Sequence, residues 1–256
     1  MPAADPDPVD PLAEEPLVGR VFETDRRVRL GDASPGGRLR FDSLVRYLQD
    51  VSDDDTRDAG FTAAAGWVVR RTVIEVSQFP VYLEAMMCRT WCSGTGSRWA
   101  ERRIRVRGER GGAIDSATLW VHVDAATGRP TVLPAEFHAI YGPATGGRTV
   151  RANLRHPAVL EGGERRWQWT PRFCDYDVLG HVNNSNYWTV VEEELVRRRD
   201  IRAPLRAELE HRDALGPGAV VDVAVVDAAT GIRLWMVEGG AVRASATVDG
   251  VDGGCG

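Results

Sequence analysis

The feature that most limits what this chain can fold into is a repetition. Laid over itself at one constant offset, the sequence places Asp32 on Asp175, Gly37 on Gly180, Leu39 on Val182 and one helical stretch on another. A unit written twice must bury two equivalent apolar faces. Both copies read in the same order: strand, turn-rich segment, amphipathic helix, then four strand-like runs. In the first copy residues 21–30 alternate, 31–37 form the turn, and Phe41, Leu44, Val45, Leu48 and Val51 mark one stripe of a helix that should run from Asp42 to Gly60. Strands follow at 67–76, 81–91, 98–107 and 113–123. In the second copy a strand at 167–173 precedes a helix from Asn183 to Arg199, with Tyr187, Val190, Val191 and Leu195 on one face. Strands follow near 205–212, 219–226, 232–237 and 241–248. An antiparallel sheet wrapped around a central helix, twice over, is the simplest way to bury both stripes, so the class is α+β.

Composition bounds the rest. With 43% hydrophobic residues and a net charge of -5, the 256 residues suit a globular chain with no nucleic-acid partner. No apolar run approaches the ~18 residues of a membrane span, and no basic-then-apolar leader opens the chain. The expectation is a cytoplasmic protein with no membrane partner, as monomer or homodimer. Residues 1–17 alternate proline with acid and should form a disordered lead-in, 18–137 the first repeat, 138–166 a linker crossing the surface, 167–250 the second repeat, and 251–256 a tail. The 4 cysteines are too few for a disulfide framework. Cys88 and Cys92 lack a second ligand pair at zinc spacing, so no metal is expected.

The copies differ where it matters for chemistry. Asp175-Tyr176-Asp177-Val178-Leu179-Gly180-His181-Val182-Asn183-Asn184 packs carboxylates, an imidazole and amides before a helix, whereas the first copy has Ser34, Arg38, Arg40 and Phe41 at the positions of Asp177, His181, Asn183 and Asn184. The second copy should react and the first should shape the pocket or an interface. Asp177 could attack a carbonyl or deprotonate a water, or simply cap the turn. His181 could orient that water, protonate a leaving group or bond Asp177. Asn183 and Asn184 would cap the helix, and the free amides there can hold an oxyanion. Cys174 could serve as a thiol nucleophile, but a buried strand cysteine is commonly inert; Tyr187 is expected to be a packing residue, and Glu192, Glu193 and Glu194 mostly a solvated face.

The chain resembles the acyl-acyl-carrier-protein thioesterases. The resemblance is carried by Tyr47-Leu48-Gln49-Asp50, Trp67-Val68-Val69-Arg70, Thr90-Trp91-Cys92-Ser93, Leu119-Trp120-Val121 with Pro134, and above all His181-Val182-Asn183-Asn184 with Tyr187. It implies a double hotdog fold and hydrolysis of fatty acyl thioesters of acyl carrier protein or CoA, without metal or redox cofactor. That family reads Asp-x-Asn-x-His-Val-Asn-Asn, with a Glu on a later strand. Asp177 and His181 match, Leu179 replaces the Asn, and alignment of the later strand puts Ala214 at the Glu and Leu215 at the neighbouring Cys, leaving Asp213 as the nearest carboxylate. The segment is also similar to single-hotdog acyl-CoA thioesterases, where the second Asp alone serves as nucleophile or base. The alternatives are a non-catalytic acyl-chain or carrier binder of the same fold and, ranked low because no Asn-Pro dipeptide occurs, a hotdog dehydratase or hydratase. Arg197, Arg198, Arg199 and Arg202 are candidates for docking an acidic carrier, or for pairing with the helix C-terminus.

Overall fold

The computed structural model describes residues 11–61, 65–160 and 162–250. Ten strands pair antiparallel throughout in a single sheet: β1 (Phe22–Arg27), β2 (Ala65–Gln78), β3 (Ala85–Thr95), β4 (Trp99–Gly108), β5 (Ala113–Asp124), β6 (Arg165–Trp169), β7 (Leu205–His211), β8 (Val221–Asp227), β9 (Gly231–Glu238) and β10 (Ala241–Gly250). Their order is β1-β3-β4-β5-β2-β7-β10-β9-β8-β6, so the second five strands repeat the first in reverse about the β2–β7 seam. That seam is itself self-complementary: Arg71 pairs with Glu210 in register, and Glu75 with Arg206. The result is two hotdog units fused edge to edge.

One helix from each unit lies on the same face of the sheet. Helix α1 (Phe41–Asp58) buries Phe41, Leu44, Val45, Leu48 and Val51, and helix α3 (Tyr187–Arg197) buries Tyr187, Trp188, Val190, Val191 and Leu195, all in one continuous core with the inward residues of the strands. The helices meet where the Phe41 ring stacks on Trp188, 5.3 Å between centroids. The other face of the sheet is ionic. Asp115 there collects Arg103, Arg105 and Arg107, as expected for strands with one wet face. No helix among the described residues is long and apolar enough to cross a membrane.

Several expected boundaries move. The stretch after β5 does not lose structure at once: α2 (Ala135–Tyr141) buries Phe137 and Tyr141 against Phe61 and Trp67. The segment that follows is strapped to the ionic face, where Glu210 accepts the N–H groups of Arg155 (2.6 Å) and His156 (3.0 Å). In the lead-in, Glu14 and Glu15 pair with Arg105 and Arg89 and the Ala13 carbonyl accepts from Arg103, so this part is held by outward arginines. Residues 1–10 and the expected tail 251–256 lie outside the described residues. The strands expected at 21–30 and 167–173 end early, because residues 30–32 and 173–175 are tight 3-10 turns.

Candidate active site

The two copies are alike down to single hydrogen bonds at the turn before each helix. Asp177 N–H donates to His181 O (2.9 Å) and Gly180 N–H to Asp177 O (3.0 Å), as Ser34 N–H does to Arg38 O (2.8 Å) and Gly37 N–H to Ser34 O (2.8 Å). Gly180 and Gly37 take φ of 76° and 83°, a left-handed conformation that glycine adopts without steric cost. Within this frame the Asp177 carboxylate accepts from Leu179 N–H (2.9 Å) and from Asn183 Nδ2 (3.2 Å). Asn183 in turn caps the helix, its Oδ1 taking Ser185 N–H (3.0 Å) and Oγ (2.7 Å). Asp177 is therefore both a turn cap and a carboxylate fixed to the helix start. His181 is exposed, and its imidazole has no hydrogen-bond partner among the described residues. Of the three roles open to His181, a side-chain bond to Asp177 is not made, and the link between the two residues is through the backbone. Leu179 points into solvent at 73% exposure, so its apolar side chain does not pack in the core.

Asn183 is followed by one 3-10 turn (Asn184–Asn186) that leads into α3. Ser185 N–H goes to the Asn183 side chain and Asn186 N–H to Asn183 O, but Asn184 N–H, the first of the turn, is left without a partner among the described residues. Such an orphan amide at a helix start can hold a negative oxygen. Asn184 lines a small cavity of about 10 Å3, room for about one water, with Val45 and Gln49 of α1, Trp188 of α3 and His211 of β7. Through Ser52 and Trp120 this adjoins a larger one of about 80 Å3 between α1, α2 and strands β2 to β5, lined by Phe61, Trp67, Phe137 and Tyr141 together with Asp53, Glu101 and Arg102.

Sequence reasoning missed His211, although a signal was present: Leu205, Ala207 and Leu209 face the core at alternate positions, which turns 211 inward as well. Burial, with Arg70 nearby, pushes the His211 imidazole down to about 3. It stays neutral at any working pH. Its ring stands edge-on to Tyr187 at 4.7 Å and its Nε2 is buried without a partner.

Comparison with known proteins places the chain in a family. The profile of the acyl-ACP thioesterase N-terminal domain matches residues 19–141 and that of the C-terminal domain residues 162–244. The chain belongs to the acyl-ACP thioesterase family. Among relatives, an uncharacterized protein of Mycobacterium tuberculosis is 31% identical over 240 residues, covering 92% of this chain and 94% of its own. The chloroplastic dodecanoyl-[acyl-carrier-protein] hydrolase of Umbellularia californica is 24% identical over 195 residues, covering 67% of this chain and 50% of its own. In fold, the 12:0-ACP thioesterase from Umbellularia californica superposes with a TM-score of 0.75 at 21% identity, over 91% of this chain and 98% of its own. An acyl-ACP thioesterase from Bacteroides thetaiotaomicron superposes at 0.72 and 17%, over 90% and 97%. The double hotdog fold is thus that of the acyl-ACP thioesterases.

Against this family frame the remaining sequence expectations divide. Ala214 and Leu215 are not on a strand: β7 ends at His211, because Arg212 and Asp213 N–H both turn to Arg243 O. Asp213 is exposed and pairs with the Arg243 side chain, so no buried carboxylate stands in for the family Glu there. Cys174 is exposed on a 3-10 turn and is not a buried strand thiol. Cys88 and Cys92 are buried, which pushes their thiols up to about 11. Of the three glutamates only Glu193 is solvated. Glu192 is held by Arg38, and Glu194, fully buried, by Arg165 and Trp167 Nε1 (2.7 Å). Arg198 is bound to Asp200 and to Asp227, Ala228 O and Gly231 O, whereas Arg197 and Arg199 are exposed. Tyr187 packs in the core as expected, and its hydroxyl accepts Leu215 N–H at 3.1 Å. The one cluster of metal-ligand type among the described residues joins His156, Glu208 and Glu210. Arg71 lies 3.8 Å from Glu208, and Glu210 already takes two backbone amides, which makes the cluster an anchor for the strap over the sheet.

Proposed function

We propose that this chain hydrolyses fatty acyl thioesters, carried by acyl carrier protein or CoA, to the free acid and thiol. The observation that carries the reading is the small cavity that Asn184 lines, beside the aromatic-rich space between α1 and the sheet: the Asn184 N–H is unpartnered among the described residues and stands one residue from the Asn183 that holds Asp177. A thioester oxygen seated in the water-sized cavity would lie beside the helix start. Attack there moves the carbonyl electron pair onto oxygen, where a backbone amide and the helix dipole stabilise it. Asp177, already oriented by Leu179 N–H and Asn183, accepts the proton of the attacking water. Collapse breaks the C–S bond, and the thiolate leaves and takes up a proton, for which His181, exposed three residues before Asn184, is the candidate donor.

A second reading, a non-catalytic acyl-chain or carrier binder, is favoured by Leu179 and by an imidazole that does not touch Asp177. Both are tested together: thiol release from a chain-length panel presented on acyl carrier protein and on CoA, with mass spectrometry of copurified lipid. Release of thiol supports hydrolysis. Bound lipid with no release from any substrate favours the binder.

A further inference from the structure

The first copy shows what an occupied helix start looks like in this protein. Phe41 N–H, the counterpart of Asn184 N–H, donates to Glu192 Oε1 at 2.6 Å. The Glu192 carboxylate is also gripped by Arg38 Nη1 and Nη2 at 2.9 and 2.7 Å, and the Phe41 ring fills the adjoining space against Trp188. An anionic oxygen thus already sits on the amide, supplied by the helix of the other unit. The helix start of the first copy is closed by Arg38 and Phe41 of its own unit with Trp188 and Glu192 of the other.

The offset that superposes the turns carries Phe41 to Asn184, Val45 to Trp188 and Gln49 to Glu192. The pseudo-twofold partner of the Phe41–Trp188–Glu192 cluster is therefore Asn184–Val45–Gln49, and these three residues line the small cavity together. Two stacked aromatic rings are exchanged for an amide and a valine, which leaves a space the size of a single water, about 10 Å3. The carboxylate is exchanged for a neutral amide, which cannot occupy the helix start as an anion. Val76, four residues before Pro80, likewise gives way to His211, four residues before Leu215: Leu39 N–H donates to Pro80 O as Val182 N–H does to Leu215 O. The Gln49 side-chain amide has no hydrogen-bond partner among the described residues, although the residue is partly buried.

We infer that Gln49, contributed by the first copy, is a catalytic residue of the second: its side-chain amide donates a second hydrogen bond to the thioester oxygen bound by Asn184 N–H. The distance from helix to helix is attested by Glu192, which spans the same gap in the first copy with a side chain of equal length. His211 lines the same cavity. The proposal rests on the hydrolytic reading above, and it explains why an unreactive first copy is needed: α1 brings Gln49 to the reacting carbonyl.

The test uses Gln49→Met, which keeps length and helix propensity without a donor, and Gln49→Glu, which restores the carboxylate of the closed copy. Losing one oxyanion donor should lower kcat about 100- to 1,000-fold in Gln49→Met with KM changed only a few-fold. Gln49→Glu should fall at least as far, its carboxylate taking Asn184 N–H. A ligand pair separates this from the function reading. An acyl-CoA analogue with a trifluoromethyl ketone, which presents an oxyanion, should lose affinity by the same factor in Gln49→Met, while an alkyl thioether of CoA, which has no carbonyl, should bind as before. Unchanged kcat, or equal weakening of both ligands, overturns the role of Gln49. If the wild type releases no thiol, the hydrolytic reading fails, and the ligand pair alone then decides whether Gln49 binds the oxygen.

Discussion

Asn184 allows a backbone donor to be removed without disturbing the fold. It is the first residue of a helical turn, its N–H has no partner among the described residues, and the residue before it, Asn183, sits at φ -60° and ψ 140°. Proline is tolerated at a first helical position, and the extended conformation of Asn183 is what a residue preceding proline requires. Asn184→Pro therefore deletes the side chain and the N–H, whereas Asn184→Ala deletes the side chain alone. The ratio of the two isolates the amide. If that N–H binds the developing oxyanion, Asn184→Pro should be slower than Asn184→Ala by roughly 100- to 1,000-fold in kcat, about 2.7 to 4 kcal/mol, with melting temperatures close together. Single-turnover thiol release gives the rates, and circular dichroism checks the fold. Equal rates for the two variants would refute the assignment of the helix start as the oxyanion site.

The other predictions use the asymmetry, the buried imidazole and the arginines. Asp177→Asn should remove most turnover while Ser34→Ala leaves kcat within a few-fold; loss in both, with folding intact, would reject a single reacting copy. Folded His211 is held near 3, so above its unfolded value both states are neutral. As pH falls through about 6.5 the unfolded chain takes a proton that the folded one refuses, and stability should drop by up to ~1.4 kcal/mol per pH unit. Urea titrations of His211→Gln should show a shallower fall, and a parallel one would mean the imidazole does not drive it. Arg199→Glu should raise KM for acyl-carrier-protein substrates and leave acyl-CoA unaffected, whereas Arg198→Glu should act on the melting temperature because its partners are structural; equal effects of Arg199→Glu on both substrates would remove the docking role.

The local geometry of this protein is written in its sequence. The repeat, the two apolar stripes and the glycines at 37 and 180 were legible because each depends on residues a few positions apart: a turn closes its own hydrogen bonds, and a helix shows its buried face as a period. The Asp177–Asn183 segment was legible for the same reason, since its bonds span six residues or fewer. What only the tertiary structure decided is which side chains arrive from elsewhere. Glu192 and Phe41 meet across 151 positions, and Gln49, Asn184 and His211 come together because two helices and the strand at the seam pack across a pseudo-twofold axis. The same packing buries Glu192 and Glu194 in a run that reads as solvated, and it leaves His181 outside. Sequence period fixes which face of an element is apolar, but only packing sets which polar residue on that face finds an empty space opposite.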